Sequence, residues 1–197
     1  MSRASSSDVS HTDTARRTRD QADGELVRRA RLGDKRAFGA LAERHGPAMY
    51  RFARRMLNDH EAVEDSVQDA LVAAWTSIDR FRGDSAPRTW LFGILANMIR
   101  RRLRSAARYP TDELPTELPA ARSTDPVTAA QAADLLEALE VALADLPEAQ
   151  RACWILAEVE RMSYADIARV QATTVGSVRG AVHRARQNLE RRLEPWR

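Results

Sequence analysis

Four prolines, Pro110, Pro115, Pro119 and Pro126, stand among Thr, Asp and Glu between Ala106 and Thr128, and this stretch divides the chain in two. Proline lacks a backbone donor, and its neighbours here carry too little apolar surface to offset the cost of ordering, so no packed helix is expected across it. On both sides the apolar residues recur at helical spacing. The first half shows Leu26, Val27 and Ala30, then Phe38, Leu41 and Ala42, then Tyr50, Phe52, Ala53 and Leu57, with breaks expected near Gly33-Asp34 and Gly46-Pro47. A later helix carries Trp90, Leu91, Ile94, Leu95, Met98 and Ile99; the second half repeats the habit with Leu135, Leu136, Leu139, Val141, Leu143 and Leu146, then Cys153, Trp154, Leu156 and Val159. Nothing alternates as a strand does. The fold expected is all-α: a disordered tail (1–22), a helical domain (23–105), a flexible linker (106–128) and a second helical domain (129–197), each domain large enough for one core.

Composition narrows the function classes. The formal charge of +3 hides a cluster, Arg100, Arg101, Arg102, Arg104 and Arg108, that precedes the acid-containing stretch Asp112 to Asp125, a segregation that suits contact with a polyanion. Cys153 is the only cysteine, so no intrachain disulfide can form, and its apolar neighbours suit a buried small hydrophobe in a reducing compartment. The first 22 residues lack an apolar core segment and no long apolar run follows, so neither a signal peptide nor a membrane span is expected. His11, His45, His60 and His183 have no metal-ligand spacing, and there is no glycine-rich phosphate loop or nucleophile elbow. No enzyme, metal or cofactor is expected.

Two segments carry recognition chemistry. In Asp65-Ser-Val-Gln-Asp-Ala-Leu-Val-Ala-Ala-Trp75 the residues Val63, Val67, Leu71 and Trp75 recur every fourth position and are read as a core stripe, while Asp65, Gln68, Asp69 and Val72 share another face open to a partner. Far downstream, Ser163-Tyr-Ala-Asp-Ile-Ala-Arg-Val is followed by Val175-Gly-Ser-Val-Arg-Gly-Ala-Val-His-Arg-Ala-Arg186, which reads as a helix-turn-helix. Ser163 and Asp166 resemble a capping box with Asp in place of Glu, and the second helix is expected to start near Thr174. Val175, Val178, Val182, Ala185 and Leu189 form its inner side. Arg179 at the margin, with Gly176, Gly180, His183, Arg184 and Gln187 opposite, makes the short basic surface that a helix in the major groove requires.

At these residues the chain resembles the extracytoplasmic-function class of bacterial sigma factors within the sigma-70 family. Four segments match in order: Glu25 to Asp34 with Ala37-Phe38, then Asp65 to Trp75, then Phe81-Arg82 with Thr89-Trp-Leu and Asn97, then the paired helices. The resemblance implies that the first domain is sigma region 2 and the second is sigma region 4. It implies a non-enzymatic specificity subunit that directs core RNA polymerase to promoters, in the cytoplasm. By resemblance, Asp65, Gln68, Asp69 and Val72 bind the coiled coil of the largest polymerase subunit. The second domain binds the polymerase flap and, through Arg179, Gly180, His183, Arg184 and Gln187, the minus-35 element. The loop from Asp79 to Arg88 and the next helix serve the melted minus-ten strand: Phe81 and Trp90 as pocket or platform, Asn97 at a base edge, Arg82, Arg100 and Arg101 at phosphates. Trp90 fits core or stacking surface. The class commonly has an anti-sigma partner. Where its members carry Pro and Ser-Arg, this chain has Thr174 and Gly180-Ala181, which removes one cation. A conventional helix-turn-helix regulator is the alternative; it explains Ser163 to Arg186 but not the motifs of the first half.

Overall fold

The computed structural model describes residues 6–108 and 126–194, with side chains over 18–108 and 134–194. The described residues form α-helices joined by turns: α1 (Ser6–Arg31), α2 (Lys35–Met56), α3 (His60–Ser77), α4 (Pro87–Arg108), α5 (Pro126–Ala144), α6 (Glu148–Trp154), α7 (Tyr164–Gln171) and α8 (Val175–Arg192). A 3₁₀ turn, Ile78–Arg80, follows α3, and a π-helical turn, Ile155–Val159, continues α6.

Most boundaries follow from local chemistry. Gly33 takes φ +86°, and the Asp34 carboxylate then accepts from the amides of Arg36 and Ala37 at 3.0 and 3.2 Å to open α2. Asp59 caps α3 in the same way, through Glu61 and Ala62. The break expected at Gly46-Pro47 does not occur, because α2 runs straight through both residues. His45, Ala48, Met49 and Phe52 are all buried around that point, and packing on both sides of the proline outweighs its missing donor. Likewise α1 opens at Ser6, inside the segment expected to be disordered, as an amino-terminal extension of a helix anchored by Val27 and Ala30. Pro126 becomes the first residue of α5, a position where its missing donor costs nothing, and α4 extends to Arg108. Residues 109–125, the heart of the expected linker, lie outside the described residues.

Phe52, Leu91, Phe92, Leu95 and Ile99 from α2 and α4 belong to one buried cluster with Ile155, Leu156, Ile167, Val178 and Val182 from the second half. The two halves therefore share a core, with α4 lying along α7. A smaller cluster of Val27, Ala30, Ala37, Leu41 and Ile78 fastens α1 to α2. Beside it, the fully buried Asp23 carboxylate takes a 2.8 Å hydrogen bond from His45 Nε2 and an ion pair from Arg44. Burial alone raises that carboxyl, but hydrogen bonds and charge from His45 and Arg44 outweigh it and hold the group below its usual 3.8. A depressed carboxyl contributes stability that is present above its unfolded value and lost as pH falls through the folded one. Asp23→Asn should accordingly cost about 1.5–3 kcal/mol at neutral pH, a deficit that shrinks below about pH 3.8. Urea melts at pH 7 and pH 3 measure it; equal deficits at both would show that shape, not charge, is what matters there.

Candidate functional site

Three surfaces carry the residues singled out above. The first is α3. Its buried side consists of Ala62, Val63, Ser66, Ala70 and Ala74, which differs from the expected core stripe. Each step of four residues advances 400° around a helix, so a four-residue repeat winds away from the core by about 40° per step. Val63 is buried, but Val67, Leu71 and Trp75 are only half-buried and, with Phe38, Tyr50, Glu64, Gln68 and Val72, line an open groove of about 530 Å³. Trp75 meets the Phe38 ring edge-on at 5.2 Å between centroids. Gln68 and Asp69 are exposed, Val72 is 56% exposed, and Asp65 lies 3.6 Å from Arg102. Gln68 and Val72 thus line an unfilled apolar groove whose one acid is Glu64, while Asp65 and Asp69 lie on the same helix outside that lining, a surface that suits a partner helix with apolar teeth and a basic flank.

The second surface joins the turn after α3 to α4. Phe81 leans on Trp90 with centroids 5.1 Å apart, so Trp90 is at once part of the packing and the back wall of the loop. Arg82 is exposed and pairs with Asp84 at 3.0 Å across Gly83, whose φ of +78° turns the loop. Asn97 and Arg101, one turn apart, are exposed on the same face. Arg100 is turned differently: it donates to Asn97 Oδ1 at 2.5 Å and to the Gln171 carbonyl of α7 at 3.0 Å, so its expected place at a phosphate is taken by the second half.

The third surface is α8. Ser163 caps α7 by accepting from the Asp166 amide at 3.1 Å, and its hydroxyl donates to Asp166 Oδ2 at 2.5 Å. Ala172 takes φ +50° to end α7, and Thr174 caps α8 through the Ser177 amide at 3.1 Å, so the two helices are set by their caps. Arg179, His183, Arg184 and Gln187 are exposed as expected, and Gly180 is half-buried. The Arg184 guanidinium lies back over Gly180, where a Cβ would sit 3.2 Å from Nη1. Ala181 is 6% exposed, so a cation at that position would leave from the edge of the packed face and not from the outward stripe. A second apolar groove of about 450 Å³ opens on the far side of this half, between Leu135, Leu139, Trp154, Leu189 and Leu193.

Reasoning from the sequence missed the polar network between the halves. Glu160, 3% exposed at the end of the π turn, receives Arg51 through Nε and Nη2 at 3.2 Å each and Arg88 Nη2 at 2.9 Å. Burial lowers the Arg88 guanidinium and the Glu160 charge opposes that shift, while its Cζ rests 5.3 Å over the Phe92 ring. Thr89 donates to Asp166 at 3.2 Å, both residues being buried, and Arg54 meets Glu140 at 2.9 Å. No group of His, Cys, Asp and Glu among the described residues could hold a metal, and no helix there is long and apolar enough to cross a membrane.

Family models for sigma-70 region 2 and sigma-70 region 4 match residues 41–109 and 136–189. The RNA polymerase sigma-H factor of Pseudomonas aeruginosa is 33% identical over 182 residues, covering 88% of this chain and 94% of that protein. The extracytoplasmic-function RNA polymerase sigma factor SigM of Mycobacterium tuberculosis is 34% identical over 88% of this chain and 86% of its own length. Among solved structures, CnrH in complex with the cytosolic domain of CnrY superposes with a TM-score of 0.65 at 33% identity, over 88% of this chain and 98% of that one. The sigma factor RpoE of Bartonella quintana, in complex with the anti-sigma factor NepR, gives 0.64 at 28% identity, over 80% of this chain and 96% of that one.

Proposed function

The chain belongs to the extracytoplasmic-function class of the sigma-70 family and is an RNA polymerase sigma factor, and we propose that it divides that work among the three surfaces described. The groove of Phe38, Tyr50, Val67, Leu71 and Trp75, with Gln68 and Val72 in its lining and Asp65 and Asp69 on the neighbouring face of α3, docks the coiled coil of the largest polymerase subunit. This coincidence of an open apolar groove with the acidic patch is the observation that carries the reading. The Leu135 to Leu193 groove receives the flap helix. Phe81, Arg82, Trp90, Asn97 and Arg101 engage the melted minus-ten strand, joined by Arg100 once it is free of Gln171. Arg179, His183, Arg184 and Gln187 read the minus-35 element past the small Gly180. The reaction itself belongs to the polymerase; the sigma subunit contributes binding energy that favours the opened promoter. The sigma factor RpoE in its complex with the anti-sigma factor NepR supports an anti-sigma factor as a further partner, acting in the cytoplasm.

Transcription by purified core on a promoter library, with and without this chain, tests the reading. Promoter-dependent transcripts are expected only with the chain present; a conventional regulator would bind duplex alone and yield none. On the promoters recovered, Arg184→Ala should weaken binding by about 1–3 kcal/mol and relax preference at a single minus-35 base pair, because Arg184 is exposed on α8 and its guanidinium, once swung off Gly180, can grip a guanine edge. Equal weakening on all variants would make Arg184 a phosphate clamp instead.

A further inference from the structure

The segment Glu25 to Asp34 is the first of the ordered motifs, yet it belongs to none of the three surfaces. Its inner side is structural: Val27 and Ala30 are buried with Ile78, which sets the turn after α3 against α1. Its outer side lines a pocket against the loop that follows that turn. Gln21, Gly24, Glu25, Arg28 and Arg31 recur at three- and four-residue spacing along one face of α1, and with Phe81, Arg82 and Gly83 they line an open space of about 420 Å³.

The lining selects the occupant. The half-buried Phe81 ring, leaning on Trp90, supplies an aromatic wall. Gly24 sends no side chain into the space, and a Cβ there would meet nothing within 4 Å. Three guanidiniums stand against one carboxylate, Glu25, which is already paired with Arg28. Arg31 is exposed and has no acidic partner among the described residues. An aromatic wall beside several cations is the combination that holds a nucleic-acid single strand, with a base stacked and its phosphates paired, and pockets of about 300–1,000 Å³ admit a ligand of that size. Bases in a duplex stay paired and cannot enter. Phe81 and Arg82 also belong to the minus-ten surface, so the pocket continues that surface onto α1.

We propose that the face of α1 from Gln21 to Arg31 is a second single-strand site, which takes an unstacked base of the melted strand beyond the minus-ten element against Phe81 and the adjoining phosphates on Arg28 and Arg31. The proposal rests on the sigma reading for the place of that strand in the promoter, not for the chemistry that holds it. Ring and phosphate contacts carry no sequence information, so the site holds the strand with little regard for the identity of its bases. Opened DNA gains a contact that duplex cannot make, which shifts the population toward the opened state.

Two variants separate the parts of the site. Arg28→Gln with Arg31→Gln removes the cations, whereas Gly24→Leu fills the pocket from an open position and leaves the charges in place. Leucine is a better helix former than glycine, and circular dichroism checks that both variants keep their helices. On a labelled oligothymidine with the full chain alone, the paired arginine variant should lower the slope of log affinity against log salt by about 1.4, since each phosphate contact on a single strand contributes about 0.7. Gly24→Leu should weaken binding about fivefold or more at an unchanged slope. Arg191→Gln with Arg192→Gln, which removes the same charge from the exposed end of α8, should do neither. Equal losses from the two charge pairs, or binding insensitive to Gly24→Leu, overturn the site.

Holoenzyme on pre-melted promoter fragments then locates it. A single strand extended past the minus-ten element should bind more tightly than one that stops there, and both variants should cut that gain about fivefold while binding the short fragment as the unaltered chain does. An unchanged gain, or an equal loss on both fragments, overturns the placement beyond the minus-ten element. Oligothymidine results as expected, beside a holoenzyme that binds neither fragment, would uphold the strand site and overturn the promoter reading.

Discussion

Asp65→Arg together with Asp69→Arg should reduce binding to core polymerase by more than a hundredfold while the chain keeps its fold. Both residues lie on the outward side of α3, away from the buried Ala62, Val63, Ser66, Ala70 and Ala74, and Asp69 is exposed. Asp65 faces Arg102 at 3.6 Å with 54% of its side chain accessible, so losing that pair removes little stability. Against a basic partner, reversing two charges replaces attraction by repulsion, a change of several kcal/mol, and each ~1.4 kcal/mol is a tenfold change in affinity. A fluorescence titration of core with labelled chain reads the effect, and circular dichroism checks the fold. Affinity within about threefold of the unaltered chain would show that the apolar groove alone holds the partner.

Local rules carried the sequence reading of the elements. Ser163 and Thr174 cap α7 and α8 through hydrogen bonds spanning three residues, and such signals need no knowledge of the rest of the chain. The same rules misled at Gly46-Pro47, where the burial of His45, Ala48 and Met49 is decided by α1, α3 and α4, far off in sequence. On α3 the four-residue repeat was visible and its meaning was not. Whether Leu71 and Trp75 fill a core or line a groove depends on what faces them, and what faces them is Phe38 and Tyr50 from α2.

The exposed residues of α8 were legible because a wheel needs only the helix itself. Arg51, Arg88, Thr89, Glu160 and Asp166 were not, since each looks like an ordinary surface residue until the halves meet across 72 to 109 positions of chain. Asp166 is the instructive case. Its spacing from Ser163 indicated a cap, and it does serve one, but its other oxygen reaches Thr89 of the first half. Arg100 suffers the opposite fate, a cation apparently free in the sequence that α7 engages through the Gln171 carbonyl.

Phe92→Ala is expected to cause the largest loss of stability of any change considered. Its side chain is 0% exposed at the centre of the shared cluster, 5.8 Å from the Phe52 ring, and Arg88 rests on its outer face. Truncating a buried phenylalanine removes both its transfer free energy and the contacts of the cavity left behind, about 3–5 kcal/mol, a large share of the ~5–15 kcal/mol that stabilises a domain. At a urea dependence of about 2 kcal/mol per molar, the midpoint should fall by roughly 2 M. The same cavity removes the platform beneath Arg88, so the ion pair with Glu160 should loosen as well. A midpoint shift below about 0.5 M would mean that the core tolerates the cavity by collapse, and that the halves are held together by charge alone.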